Sequence, residues 1–129
     1  MAELPTILLV DTHEDSRLIY AAVLRHQGLG VVVSDCARSA LDVARTARPG
    51  VIVMELSLGA SPAWSTVAAL RSAPETAAIP VLGLSTTGLP EHRERALRLG
   101  CSVFLVKPLA PLELLAEVRR LLQTPGGRG

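Results

Sequence analysis

Short runs of aliphatic residues alternate with longer stretches whose apolar positions recur at helical spacing, and the alternation persists almost to the C-terminus. The runs Thr6–Val10, Val31–Ser34, Val51–Glu55, Val81–Leu84 and Ser102–Val106 read as strands, each bounded by Gly, Pro, Ser or Asp. Successive strands start about twenty or more residues apart, which leaves room for a crossover helix and none for tight hairpins. The pattern is that of repeated βαβ units and predicts a parallel sheet covered by helices.

The helices carry their own punctuation. Gly28 closes the first, Pro49-Gly50 follows the second and Gly100 follows the fourth. Ser61-Pro62 opens the third in the cap-then-proline order. The fifth begins near Pro111, and its Leu114, Leu115, Val118, Leu121 and Leu122 form one apolar stripe. Residues 1–123 are expected to form one domain, with 124–129 a flexible tail or the start of a linker. Gly83, inside the fourth strand, marks a close approach of a neighbouring backbone or helix.

Composition narrows the core. Apolar residues make up 49% of the chain and aromatics only 2%, so the interior must be built from Leu, Val, Ile and Ala, as suits a doubly covered parallel sheet. Thirteen Lys plus Arg stand against 12 Asp plus Glu with no basic cluster, so direct nucleic-acid binding is not expected. The N-terminal apolar run, Ile7 to Val10, is too short for a signal peptide or a membrane span, and a cytoplasmic location is expected. His13, His26 and His92 fall at no metal-site spacing, and Cys36 and Cys101 form no CxxC motif. Both thiols read as small apolar fillers. An intramolecular disulfide is not expected, because the two lie at opposite corners of the sheet.

In a parallel sheet the residues just past the strand C-termini gather on one edge, where such folds bind ligands. Here that edge collects Asp11-Thr12, Glu55, Ser85-Thr86 and Lys107-Pro108. The pieces ILLVDTHEDSR, VIVMEL, IPVLGLS and FLVKP, in this order and spacing, resemble the receiver domains of two-component signalling over about Leu4 to Leu122. The resemblance implies a flavodoxin-like doubly wound (βα)5 sandwich with strand order 2-1-3-4-5.

It also implies a site. In that family an acidic pair after the first strand and an aspartate after the third hold Mg²⁺, and the latter aspartate accepts a phosphoryl group from a phosphohistidine kinase. Mg²⁺ prefers octahedral oxygen ligands, and a hydroxyl and a lysine bind the remaining phosphoryl oxygens. By position, Ser85 and Lys107 match those two groups, Phe104 matches the switch aromatic, and the bond before Pro108 is a candidate cis peptide. Two positions depart: Thr12 replaces the second acid and Glu55 replaces the acceptor aspartate. A direct Glu55–Lys107 ion pair is the physical expectation, with no bound metal and no cofactor.

Several readings stay open at these residues. Glu55 is either a fixed stand-in for the phosphorylated state or a tolerated polar residue in a decayed site. Asp11 belongs to the pocket or simply solvates the strand end and caps the first helix. Glu14 and Asp15 suit the first turn of that helix by charge. Trp64 reads as core. The leading expectation is an atypical receiver-like signalling module, not an enzyme, that acts through protein contacts without phosphorylation. Its partners would be a histidine kinase, an output protein or a second copy. The surface read would hold Arg93, Leu97, Phe104, Val106, Glu117 and Arg120, although ordinary packing would equally explain Leu97 and Val106. The rivals are a phospho-accepting, Mg²⁺-dependent regulator with an unusual site and a small-molecule sensor at the same edge. Few aromatics speak against the sensor.

Overall fold

The computed structural model describes residues 5–56 and 62–123. Ser61 and the tail 124–129 lie outside them. The strands are β1 (Thr6–Val10), β2 (Gly30–Ser34), β3 (Val51–Glu55), β4 (Val81–Ser85) and β5 (Val103–Val106). The helices are α1 (Glu14–His26), α2 (Ala40–Ala47), α3 (Pro62–Ser72), α4 (Pro90–Leu99) and α5 (Pro111–Gln123), and a 3-10 turn at Ala37–Ser39 precedes α2. All four strand pairings are parallel and the order is β2-β1-β3-β4-β5, the flavodoxin-like doubly wound sheet. The strand limits differ from the expected ones by a residue at β2, β4 and β5, where hydrogen-bonded ends fray.

Two apolar layers follow from the two-residue period of a strand. Ile7 and Leu9, Val51 and Val53, and Leu82 and Leu84 face α1 and α5, where Tyr20, Ala21, Leu24, Leu114, Leu115, Val118 and Leu121 meet them. Leu8 and Val10, with Ile52 and Met54, face α2, α3 and α4, packing with Ala44, Trp64, Val67, Leu70 and Ala96. β3 and β4, central and covered on both sides, are buried at every position, whereas the edge strand β2 is not. Trp64 is core, as expected, at 2% exposure. It also joins α3 to α4: the Arg95 guanidinium sits 4.2 Å from the indole centroid and the His92 ring packs at 6.1 Å.

Local chemistry sets the helix limits. Prolines open α3, α4 and α5, where the missing N–H costs no intrahelical bond. α4 ends because Gly100 turns to φ +122°, which lets Cys101 N–H donate back to the Ala96 carbonyl at 3.0 Å. Arg71 of α3 then donates from Nε to the Gly100 carbonyl at 3.0 Å and from its other nitrogens to the carbonyls of Ala77 and Ile79. α2 ends at Arg48, a left-handed C-cap with φ 50° whose N–H donates to the Ala44 carbonyl at 2.9 Å, and Pro49 follows it.

Cys36 and Cys101 are free thiols. Cys101 is the apolar filler expected, its thiol pushed up to about 11 by burial against the opposing pull of Arg71. Cys36 is only half-buried. The Lys107-Pro108 bond is cis. No described helix is long and apolar enough to cross a membrane.

Gly83 does have close neighbours, but they are side chains and not the backbone or helix expected. A Cβ there would lie 2.8 Å from Leu56 Cδ1 and 3.3 Å from Cys101 Sγ, both side chains buried. Gly83→Ala is therefore expected to lower unfolding free energy by about 1–3 kcal/mol, the cost of overpacking a filled core, measured as a reduced denaturation midpoint at unchanged slope.

Candidate functional site

Strand register builds the site. Val10 pairs with Met54, Glu55 with Leu84 and Ser85 with Val106, so the next residues along each strand, Asp11 and Lys107, arrive at one edge beside Glu55 and Ser85. Asp11 continues the ladder by donating its N–H to the Ser34 carbonyl at 3.1 Å, and Lys107 donates likewise to the Ser85 carbonyl at 2.7 Å. Both residues are thus fixed by backbone before their side chains are considered.

Lys107 spans the edge. Its Nζ lies 3.0 Å from Asp11 Oδ2 and 3.6 Å from Glu55 Oε2, so the ion pair expected between Glu55 and Lys107 is present but Asp11 is the nearer partner. The side chains are 9%, 0% and 5% exposed for Lys107, Asp11 and Glu55, so water screens these charges little. Thr12 donates to Glu55 Oε1 from its amide at 3.0 Å and from its hydroxyl at 2.7 Å. His13 closes the other side, with Nδ1 2.5 Å from Glu55 Oε2 and 3.3 Å from Asp11 Oδ1. The His13 amide also donates to Asp11 Oδ1 at 2.8 Å, and Arg17 donates to the Asp11 carbonyl at 2.8 Å. Asp11 therefore belongs to the pocket and is no mere surface strand end.

Burial by itself would raise the Glu55 carboxyl. The hydroxyl and amide of Thr12, with Lys107 and His13, more than offset it and hold the group below its ordinary value. Burial also raises the Tyr20 phenol, whose hydroxyl donates to the Leu109 carbonyl at 2.9 Å and ties α1 to the segment after Lys107.

His13 is the residue that spacing had missed. Two positions past the end of β1 place it at the sheet edge, and that position, not histidine-to-histidine spacing, was the usable signal. Ser85 shares the edge and is buried, but its hydroxyl oxygen accepts from the Thr87 amide at 3.2 Å, inside its own loop. Phe104 is buried, while its carbonyl accepts from Arg93 Nη1 at 3.4 Å. Leu97 and Val106 are 42% and 40% exposed, so packing does not account for them. Glu117 and Arg120 pair along α5 at 2.8 Å.

The residues present do not suit Mg²⁺. That ion asks for near-octahedral oxygen donors and keeps several waters. Here a histidine nitrogen stands beside the two carboxylates, the Thr12 hydroxyl is spent on Glu55, and an ammonium lies against both acids. A cleft of about 160 Å³ opens beside Thr12 and Glu55, flanked by Cys36 and Arg38, well below the roughly 300 Å³ at which small-molecule pockets begin.

Two outcomes follow from this charge cluster. Lys107→Met leaves a buried carboxylate pair and should cost about 3 kcal/mol by chemical denaturation, whereas adding Asp11→Asn to it should cost less than the sum of the two single changes. Because the folded Glu55 carboxyl titrates lower than the unfolded one, its stabilisation is present above about pH 4.3 and is lost as pH falls through the folded value. The stability gap between wild type and Glu55→Gln should accordingly narrow below that pH.

Known proteins resemble this chain in sequence and fold. The chain is 33% identical over 117 residues to the transcriptional regulatory protein CusR of Escherichia coli, covering 91% of this chain and 51% of that protein, so it spans about half the length of that regulator. It is 29% identical over 114 residues to a 14.6 kDa protein in the sodA1 3' region of Leptolyngbya boryana, covering 88% of this chain and 87% of the other. Among solved structures, the chemotaxis response regulator CheY4 of Vibrio cholerae superposes with a TM-score of 0.84 at 28% identity, covering 92% of this chain and 99% of that one. The sequence profile of the response regulator receiver domain matches residues 7–119, and with the fold it establishes that this chain belongs to the receiver-domain family of two-component signal transduction.

Proposed function

We propose that this receiver domain signals through protein contacts without being phosphorylated at its usual position and without catalysing a reaction. The supporting observation is the commitment of the Glu55 carboxylate. One oxygen accepts twice from Thr12, and the other lies against His13 and Lys107. A nucleophile must approach its phosphoryl donor unencumbered and in line. This carboxylate is held on both oxygens, and its extra methylene carries it to groups an aspartate would leave for the phosphoryl oxygens.

In this reading Lys107 supplies the positive charge that fixes Asp11 and Glu55 in one arrangement, so the domain has a set conformation for a partner to read. A histidine kinase, an output protein or a second copy would meet α4, β5 and α5, where Leu97 and Val106 are exposed beside Arg93. The small-molecule reading loses ground on the size of the cleft and the lack of aromatics around it.

Acetyl phosphate tests the proposal. Wild type, Thr12→Asp, Glu55→Asp and the double variant are incubated at equal Mg²⁺ and weighed intact. The wild type should gain nothing and the double variant should accept at least a partial phosphoryl load, with each single variant doing less. A hydroxylamine-labile phosphoryl group on wild-type Glu55 would overturn the proposal. A folded but inert double variant would remove Ser85 and Lys107 from the set of retained phosphoryl-binding groups.

A further inference from the structure

We infer that Asp11, His13 and Glu55 form a site for a borderline divalent ion of the zinc class. The inference rests on the reading that this pocket no longer serves Mg²⁺ and phosphoryl transfer, and it departs from the expectation that no metal binds.

The donor atoms are one imidazole nitrogen and one oxygen from each carboxylate, and they all lie within 4.8 Å of one another. His13 Nδ1 and Asp11 Oδ1 are 3.3 Å apart, which is about the edge of a tetrahedron whose centre lies roughly 2.0–2.1 Å from each nitrogen or oxygen donor. His13 Nδ1 and Glu55 Oε2, at 2.5 Å, now share a hydrogen-bond contact. An ion replacing that proton needs the pair to open by less than an ångström, and the His13 side chain, 58% exposed, is free to move that far.

The remaining carboxylate oxygens are already held. Thr12 takes Glu55 Oε1 with two donors, and Lys107 lies nearer Asp11 Oδ2, at 3.0 Å, than Glu55 Oε2, at 3.6 Å, so Glu55 Oε2 and Asp11 Oδ1 are the oxygens that meet the imidazole. Such outer contacts orient metal ligands and are a large part of what makes a site bind. Two carboxylates against one ammonium leave a net negative charge in a pocket that water screens little when His13 is neutral, and a dication compensates it. The exposed side of His13 gives an entry path from solvent and leaves a fourth position for water. A nitrogen donor favours zinc over magnesium, which prefers oxygen alone. Bound there, the ion would fasten the turn between β1 and α1 to the end of β3.

Equilibrium dialysis of the full 129-residue chain against ZnCl₂ or MgCl₂, with retained metal counted, tests the site. One Zn²⁺ per chain should be held, and Mg²⁺ about a hundredfold more weakly or not at all. His13→Ala and His13→Gln, each checked for an unchanged thermal melt, should weaken Zn²⁺ by at least about tenfold. Cys36→Ala, which removes the thiol beside the cleft, should leave it unchanged. Zn²⁺ retained in both His13 variants, Zn²⁺ lost on Cys36→Ala, Mg²⁺ bound as tightly as Zn²⁺, or no Zn²⁺ retained would each overturn the inference. Failure of the non-phosphorylated reading shows separately, as a phosphoryl group on the wild-type protein.

Discussion

Lys107 holds together strands that do not touch. It extends from the end of the edge strand β5 and reaches Asp11 of β1, with β4 and β3 between them, passing the Glu55 carboxylate at the end of β3. Moving an ammonium and two carboxylates out of water costs several kcal/mol per ion, and a buried pair only breaks even when its remaining hydrogen-bonding capacity is met. The edge meets it. The Asp11 carboxylate takes the His13 amide as well as Lys107, and Glu55 takes Thr12 and His13. What the cluster contributes is therefore mainly a single arrangement, since any slip of β5 relative to β1 would strand a charge in an apolar setting.

That constraint explains why so much was legible in the sequence. Parallel strands with one polar residue at each C-terminal end have only one edge on which to place them, so Asp11, Glu55, Ser85 and Lys107 could be assigned to a common mouth from spacing alone. The two apolar layers follow from alternation within five-residue strands, and glycine or proline marks most helix limits. Side-chain reach was less accessible. That Asp11 lies nearer Lys107 than Glu55 does depends on rotamers and on the short step between adjacent strands, which no linear pattern encodes. His13 escaped because its partners are carboxylates brought in by the fold and not a second histidine at a telling interval. Leu97 and Val106 were placed on the outer face by position, and their exposure decides between that placement and ordinary packing.

The family match places the fold and the signalling class beyond the two unusual positions, and those positions are best understood together. Thr12 and Glu55 are adjacent across the edge, and they meet through a hydroxyl bond of 2.7 Å and an amide bond of 3.0 Å to the same oxygen. A second acid at position 12 would set one carboxylate against another at that distance, a like-charge contact that neither Lys107 nor His13 could relieve on the Thr12 side. An aspartate at position 55 would be one methylene shorter and would draw back from the Thr12 hydroxyl. Each departure thus makes the other favourable. At this edge both carboxylate oxygens of Glu55 are engaged, and the carboxyl titrates below its ordinary value. Thr12 and Glu55 thus form one contact set at the edge that Lys107 spans.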